Sequence, residues 1–127
     1  MYSTIDYSAN EILELAIASL DSSKALDIIT VDVHEHSSLT DIMVICTGTS
    51  NRHVSAMADR LVEYLASKDI HGVTLSGEQE GKWVIADLGV VMVHMMQESE
   101  RQRYQLENLY KSIAAGRIKL HLLRKEA

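Results

Sequence analysis

A chain of 127 residues has the length of one domain, and 46% hydrophobic against 24% charged residues give it enough apolar surface to offset the entropy of ordering, which excludes a disordered polypeptide. No apolar run reaches the roughly 18–20 residues that cross a bilayer, and Met1 to Asp6 lack the basic start and apolar core of a secretion signal. The single Cys46 excludes an intramolecular disulfide, and a cytoplasmic address is expected.

In chain order, Ser8-Ala9-Asn10-Glu11 has the form of a capping box. Ile12, Leu13, Ala16, Ile17 and Leu20 follow at helical spacing, predicting a first helix from about Ala9 to Ser22. The β-branched run Ile28 to Val33 predicts a strand, and His34 to Ser38 a turn. Asp41 to Thr47 is almost unbroken apolar sequence, as in a strand buried on both faces. After Gly48-Thr49-Ser50-Asn51, the pattern Val54, Met57, Ala58, Leu61, Val62, Leu65 defines a second helix. Val73 to Leu75 reads as a short strand and Gly77 to Gly81 as a polar loop. Trp83 to Ala86 and Val90 to His94 flank Asp87-Leu88-Gly89, a tight hairpin with glycine where a left-handed residue is needed. A last helix starts near Ser99 and buries Leu106, Leu109, Tyr110 and Ile113. The order α-β-β-α-β-β-β-α predicts an α/β fold: a mixed sheet of about five strands flanked by helices.

The net charge of −6 is unevenly spread. Residues 1–110 hold 17 acidic against 7 basic side chains, whereas beyond them Lys111, Arg117, Lys119, Arg124 and Lys125 face only Glu126. The acidic body, at −10, repels phosphate backbones and suits a basic protein partner. The expected organisation is an α/β domain over residues 1–112 and a basic C-terminal tail over 113–127, open to a short solvated helix and to contact with nucleic acid.

Few groups carry chemistry. His34-x-His36 can place two imidazoles on one side of a strand, but a zinc site needs three or four ligands. Cys46 sits between Ile45 and Thr47 in an apolar strand, more a small core residue than a nucleophile. The Gly48–Arg52 loop joins a strand to a helix, where free amides can hold an anion. It lacks the lysine and glycine spacing of a phosphate loop, and Ser50 or Asn51 can instead cap the helix. Asp32, Asp41 and Asp87 lie at strand ends without the Asp-x-Asp pair of metal-dependent nucleotidyl transfer. No catalytic residue, cofactor or metal is therefore assigned.

Surface recognition remains. Trp83, the only tryptophan, opens the hairpin after the acidic Glu78-Gln79-Glu80 loop, and indoles often anchor interfaces. Asp87, Leu88 and the segment Met95 to Glu98 can add a mixed apolar and acidic rim; the competing reading is that Trp83 and the methionines fill the core. A one-residue register change would exchange the two faces of the strand, so Trp83 is not oriented by sequence.

Three segments resemble one family. Asp41-Ile-Met-Val-Ile-Cys-Thr-Gly-Thr-Ser-Asn-Arg-His53 is similar to a D-x-x-V/I-I-C-x-G-x-S-x-R segment, and Trp83 to Gly89 to a W-V-x-x-D-x-G hairpin. Val93-His94 with Arg103-Tyr104-x-Leu106-Glu107-x-Leu109-Tyr110 is similar to a V-H…R-x-Y-x-L-E-x-L-W ending. In order and at compatible spacing over about residues 10 to 110, they resemble the ribosomal silencing factor (Iojap-like) family.

The resemblance implies a nucleotidyltransferase-like fold without the catalytic carboxylates, and a non-enzymatic factor. Such a factor docks on large-subunit ribosomal protein fourteen and blocks association of the ribosomal subunits, repressing translation when nutrients are limited. Carried onto this sequence, the docking face comprises Trp83, Asp87, Leu88 and Met96; the acidic loop itself suggests Glu78 and Glu80, with Asp87, as charged rim. Two positions depart from the pattern: Val90 stands where the family has an acidic residue, and Tyr110 where it has tryptophan. Three alternatives stay open: a nucleotide-binding enzyme using the Gly48–Asn51 loop, a large-subunit assembly factor, and a homodimeric adaptor.

Overall fold

A computed structural model describes residues 7–35 and 40–115. Nine elements follow one another: α1 (Ala9–Ser22), β1 (Leu26–Asp32), β2 (Ile42–Gly48), α2 (Asn51–Ser67), β3 (Thr74–Ser76), β4 (Trp83–Asp87), β5 (Val91–Gln97), α3 (Glu98–Tyr104) and α4 (Leu106–Ala114). The expected order holds, with one difference at the last helix. His36 and most of the basic tail lie outside the described residues. The α/β body itself continues through Ile113, which is fully buried, and Ala114.

The capping box forms as read: the Glu11 amide donates to Ser8 Oγ at 3.1 Å, and the Ser8 amide to Glu11 Oε1 at 2.9 Å. The five strands make one sheet in the order β1-β2-β5-β4-β3. β2 and β5 run parallel at its centre, and every other pairing is antiparallel. The unbroken apolar run of β2 has its reason here, since all seven of its residues are buried.

Strand register divides the side chains between two faces. On the first, Val44, Cys46, Val84, Ala86, Val91, Val93 and Met95 pack beneath Ile12, Ala16 and Leu20 of α1 and Val54, Met57, Ala58, Leu61 and Leu65 of α2. On the second, Val31, Met43, Ile45, Met92 and Met96 meet Leu106 and Ile113 of α4. Each fully buried aliphatic side chain of this kind contributes about 1.5–3 kcal/mol.

The last helix is two helices. Gln105 takes a left-handed conformation (φ +47°) and separates α3 from α4. The cause is phase: buried Arg101 and buried Leu106 are five residues apart and would point to different sides of one continuous helix. The left-handed residue resets the phase, so Leu106, half-buried Leu109 and Ile113 then share the sheet-facing side. The Tyr110 side chain, expected in this core, lies outside the described side chains.

Candidate functional site: an aromatic groove at the open end of the sheet

The helices of the second face lie over β1, β2 and β5. At the far end of that face the outward residues of β4, namely Trp83, Ile85 and Asp87, are left half-buried. Pairing of Trp83 with Met96 and of Ile85 with His94 puts Trp83 on the α3/α4 face, which sequence could not decide.

Trp83 and Ile85 floor a groove of about 430 Å³, bordered by Ser76, Gly77, Glu80, Lys82, Glu100 and Tyr104. The Tyr104 ring, 49% exposed, packs against the indole with centroids 5.0 Å apart and planes tilted by 45°. On its inner side the indole Nε1–H donates to Nδ1 of His94 at 3.1 Å. His94 is the polar side chain in the middle of the central strand, and burial pushes its pKa down from 6.5 to about 4. It is therefore neutral near pH 7, and because indole only donates, the ring proton belongs on Nε2.

The acidic loop beside the groove is fixed at several points. The Ser55 hydroxyl donates to the Glu78 carbonyl at 3.3 Å, and the Gln97 amide nitrogen to the Gly81 carbonyl at 3.2 Å while also bonding the Asn51 side chain. The Glu78 and Glu80 side chains are exposed, and Glu80 borders the groove.

The remaining expected contacts divide. Asp87 is half-buried, and its Oδ1 accepts the Gly89 amide at 2.9 Å, bracing the hairpin turn. Leu88 and Met96 are corrected: at 1% and 0% exposure they belong to the two cores and support the surface from beneath. Met95 is likewise buried, because β5 runs on to Gln97 between two neighbouring strands and alternates its methionines into both cores. Val90, where the family pattern has an acid, packs half-buried against the α1/α2 core.

The Gly48–Asn51 loop is a helix cap. Ser50 Oγ accepts the His53 amide at 3.0 Å, the Thr49 amide donates to His53 Nδ1 at 2.9 Å, and His53 Nε2 meets the Ser23 carbonyl at 2.8 Å. Of the amides at this helix start, those of Thr49, His53 and Val54 thus have partners within the protein. Cys46 is fully buried and its pKa is pushed up to about 12 by burial, with Arg101 opposing, so the thiol is no nucleophile in the fold. His34 pairs with Asp32 Oδ1 at 2.5 Å on the surface; that contact raises the imidazole's pKa and lowers the carboxylate's. Among the described residues no three His, Cys, Asp or Glu side chains converge on a metal-sized space, and no helix is long and apolar enough to cross a membrane.

Sequence reasoning missed Arg101. It is 6% exposed, and its guanidinium reaches Glu107 Oε1 at 2.7 Å, the Asp27 carbonyl at 2.8 Å and Thr47 Oγ1 at 2.8 Å. One side chain thereby ties α3 to α4, to β2 and to the β1 bulge, where Asp27 has φ +49°. Nothing in Glu98 to Tyr104, a uniformly polar stretch, distinguishes this arginine from Arg103. His94 did carry a signal: a lone imidazole within Val90 to Met96 needs a buried partner.

Among the described residues, fold and groove together define a small mixed-sheet α/β protein that carries an open aromatic groove bordered by Glu80, Glu100 and Lys82. The family described as ribosomal silencing factor during starvation, RsfS, matches residues 6–127. The chain is 42% identical over 99 residues to the ribosomal silencing factor RsfS of Haemophilus influenzae, covering 78% of this chain and 97% of that one. It is 31% identical over 101 residues to the Mus musculus protein named mitochondrial assembly of ribosomal large subunit protein 1, covering 77% and 44% respectively. A crystal structure of a Chromobacterium violaceum protein matches with a TM-score of 0.80 at 35% identity, covering 83% of this chain and 88% of that one. The chain belongs to the ribosomal silencing factor family, and membership implies ribosome-associated regulation of translation.

Proposed function

We propose that the protein docks on ribosomal protein fourteen of the large subunit through the Trp83 groove and sterically blocks association of the ribosomal subunits, repressing translation in the cytoplasm when nutrients are limited. The observation that carries this reading is the Trp83–Tyr104 pair, partly open to solvent over Ile85 and bordered by Glu80, Glu100 and a single lysine, Lys82. An aromatic anchor bordered by two carboxylates against one lysine suits a basic protein surface, and the charge of −10 over residues 1–110 would steer encounter with one. Trp83 supplies desolvated contact area, while Glu78, Glu80 and Asp87 act at the rim, with Leu88 and Met96 as buried support. No bond is made or broken; occupancy alone excludes the other subunit.

The test is gradient cosedimentation with isolated large subunits, followed by addition of small subunits. Retention on the large subunit with fewer joined ribosomes is expected. Trp83→Ala is expected to weaken binding by about 2 kcal/mol, as for an interface hot spot. Normal cosedimentation of the folded variant would remove Trp83 from the interface.

A second reading, large-subunit assembly, is favoured by the name of the mouse relative, and depletion of the protein would then accumulate immature large subunits. The basic residues of the tail, Arg117, Lys119, Arg124 and Lys125, which lie outside the described residues, would reach ribosomal RNA. Deleting residues 114–127 should then flatten the salt dependence of binding, and an unchanged slope would reject that contact. Self-association through the same groove would compete with docking, so light scattering with and without ribosomal protein fourteen separates the two.

A further inference from the structure

Trp83 is held in a particular orientation, and the group holding it lies outside the surface. The indole Nε1–H, the one polar atom of this side chain, points inward to His94 Nδ1 at 3.1 Å, across a diagonal of the β4/β5 pairing. His94 is 2% exposed between Ile45 on β2 and Ile85 on β4, so its ring has little room to follow a moving partner. On the other side Tyr104 packs against the indole at 5.0 Å, while the His94 ring lies 5.9 Å away. The indole is therefore fixed from two directions.

We propose that His94 is the positioning residue of the Trp83 anchor: by consuming the indole N–H it sets the ring's orientation, so that Trp83 meets its partner through carbon surface alone. A partner group facing Trp83 then need offer no hydrogen-bond acceptor, and an acceptor placed there would lose its water without replacement. The neutrality that burial imposes on His94 serves the same end, since a protonated imidazole has no acceptor lone pair for the indole. This inference rests on the reading of Trp83 as the docking anchor.

Two measurements on the whole protein test it. Trp83 is the only tryptophan, so the free protein gives one indole N–H resonance whose hydrogen exchange can be followed. Exchange is expected to be slow in the wild type, to stay slow in His94→Asn, whose Oδ1 stands near the Nδ1 position, and to speed up by about tenfold or more in His94→Leu. Equal exchange in all three proteins overturns the inference.

In the second measurement, affinity for isolated large subunits is expected to fall about tenfold in His94→Leu, while His94→Asn stays within about threefold of wild type. In a Trp83→Phe background, which has no N–H, His94→Leu is expected to cause no further loss. A further loss of the same size there would mean that His94 acts by general damage, and overturns the proposal. A wild-type protein that ignores large subunits overturns the docking reading itself, whereas the exchange measurement still decides whether His94 fixes the indole. Far-UV circular dichroism establishes folding, and if His94→Leu fails to fold, loss of affinity in a folded His94→Asn protein that keeps slow exchange overturns the inference.

Discussion

Replacing Arg101 by alanine deletes the side chain on which four elements converge, and the cost can be built from its partners. The guanidinium makes one ion pair, with Glu107, and two hydrogen bonds, to the Asp27 carbonyl and Thr47 Oγ1. Glu107 is 32% exposed in its side chain and can rehydrate, so its loss counts at the low end. Thr47 is only 4% exposed, and an orphaned buried polar group costs about 1–3 kcal/mol. The Asp27 carbonyl belongs to a bulge whose residue is held at φ +49°, so losing its donor loosens the turn entering β1. Together these give about 3 kcal/mol, in the range for breaking a buried ion pair from one side. Against a total stability of about 5–15 kcal/mol this is a large fraction. Equilibrium urea unfolding followed by circular dichroism checks it, provided the denaturant slope is unchanged. Arg103→Ala, at an exposed position on the same helix, is the control and should shift stability by about 0.5 kcal/mol or less. An Arg101→Ala protein within about 1 kcal/mol of wild type would refute the claim that this arginine ties the helices to the sheet.

Burial of His94 makes stability depend on pH in a defined window. Its folded pKa, about 4, lies below the 6.5 of an unfolded chain, so on acidification the unfolded state takes the proton first. The contribution is complete above pH 6.5 and is lost as pH falls toward 4, by about 3 kcal/mol in all, and His94→Asn should abolish that part of the slope. His34, paired with Asp32 at the surface, acts in the opposite sense, so the difference between the two proteins isolates His94. Cys46, with its pKa near 12 and no exposure, should resist a thiol reagent at pH 8 in the native protein and react at once in urea; rapid native labelling would contradict its placement in the core.

The elements that packing dictates were legible, and those that polar contacts dictate were not. α1 could be placed to the residue because Ser8 and Glu11 announce its start and its apolar positions repeat at helical spacing. β2 was legible because a strand covered on both faces has no polar positions to confuse the pattern. The hairpin turned where Gly89 takes φ +89°. The break at Gln105 was hidden, because a glutamine carries no left-handed signature and what demands it is the distant requirement to bury Arg101 and Leu106 together. Site residues were legible only in part for the same reason. Trp83 and Glu80 could be named as a candidate anchor and rim, yet Leu88 and Met96 looked as available as Trp83 until the register assigned them to the two cores.

The groove's rigidity bears on how binding would proceed. A Cβ at Gly77 would come within 2.3 Å of the Trp83 carbonyl, and one at Gly81 within 2.7 Å of the Asn51 carbonyl, so the loop lies directly on the starts of β4 and α2. Both glycines have positive φ, +81° and +69°, which lets the chain pass that close. A loop already fixed by Ser55 and Gln97 loses little conformational freedom when a partner arrives, which removes one of the usual costs of association. The energetics of the proposed complex would then separate by residue. The exposed acids of the rim would act on the encounter rate and its dependence on salt, while Trp83, held by His94 and Tyr104, would act on the lifetime of the complex.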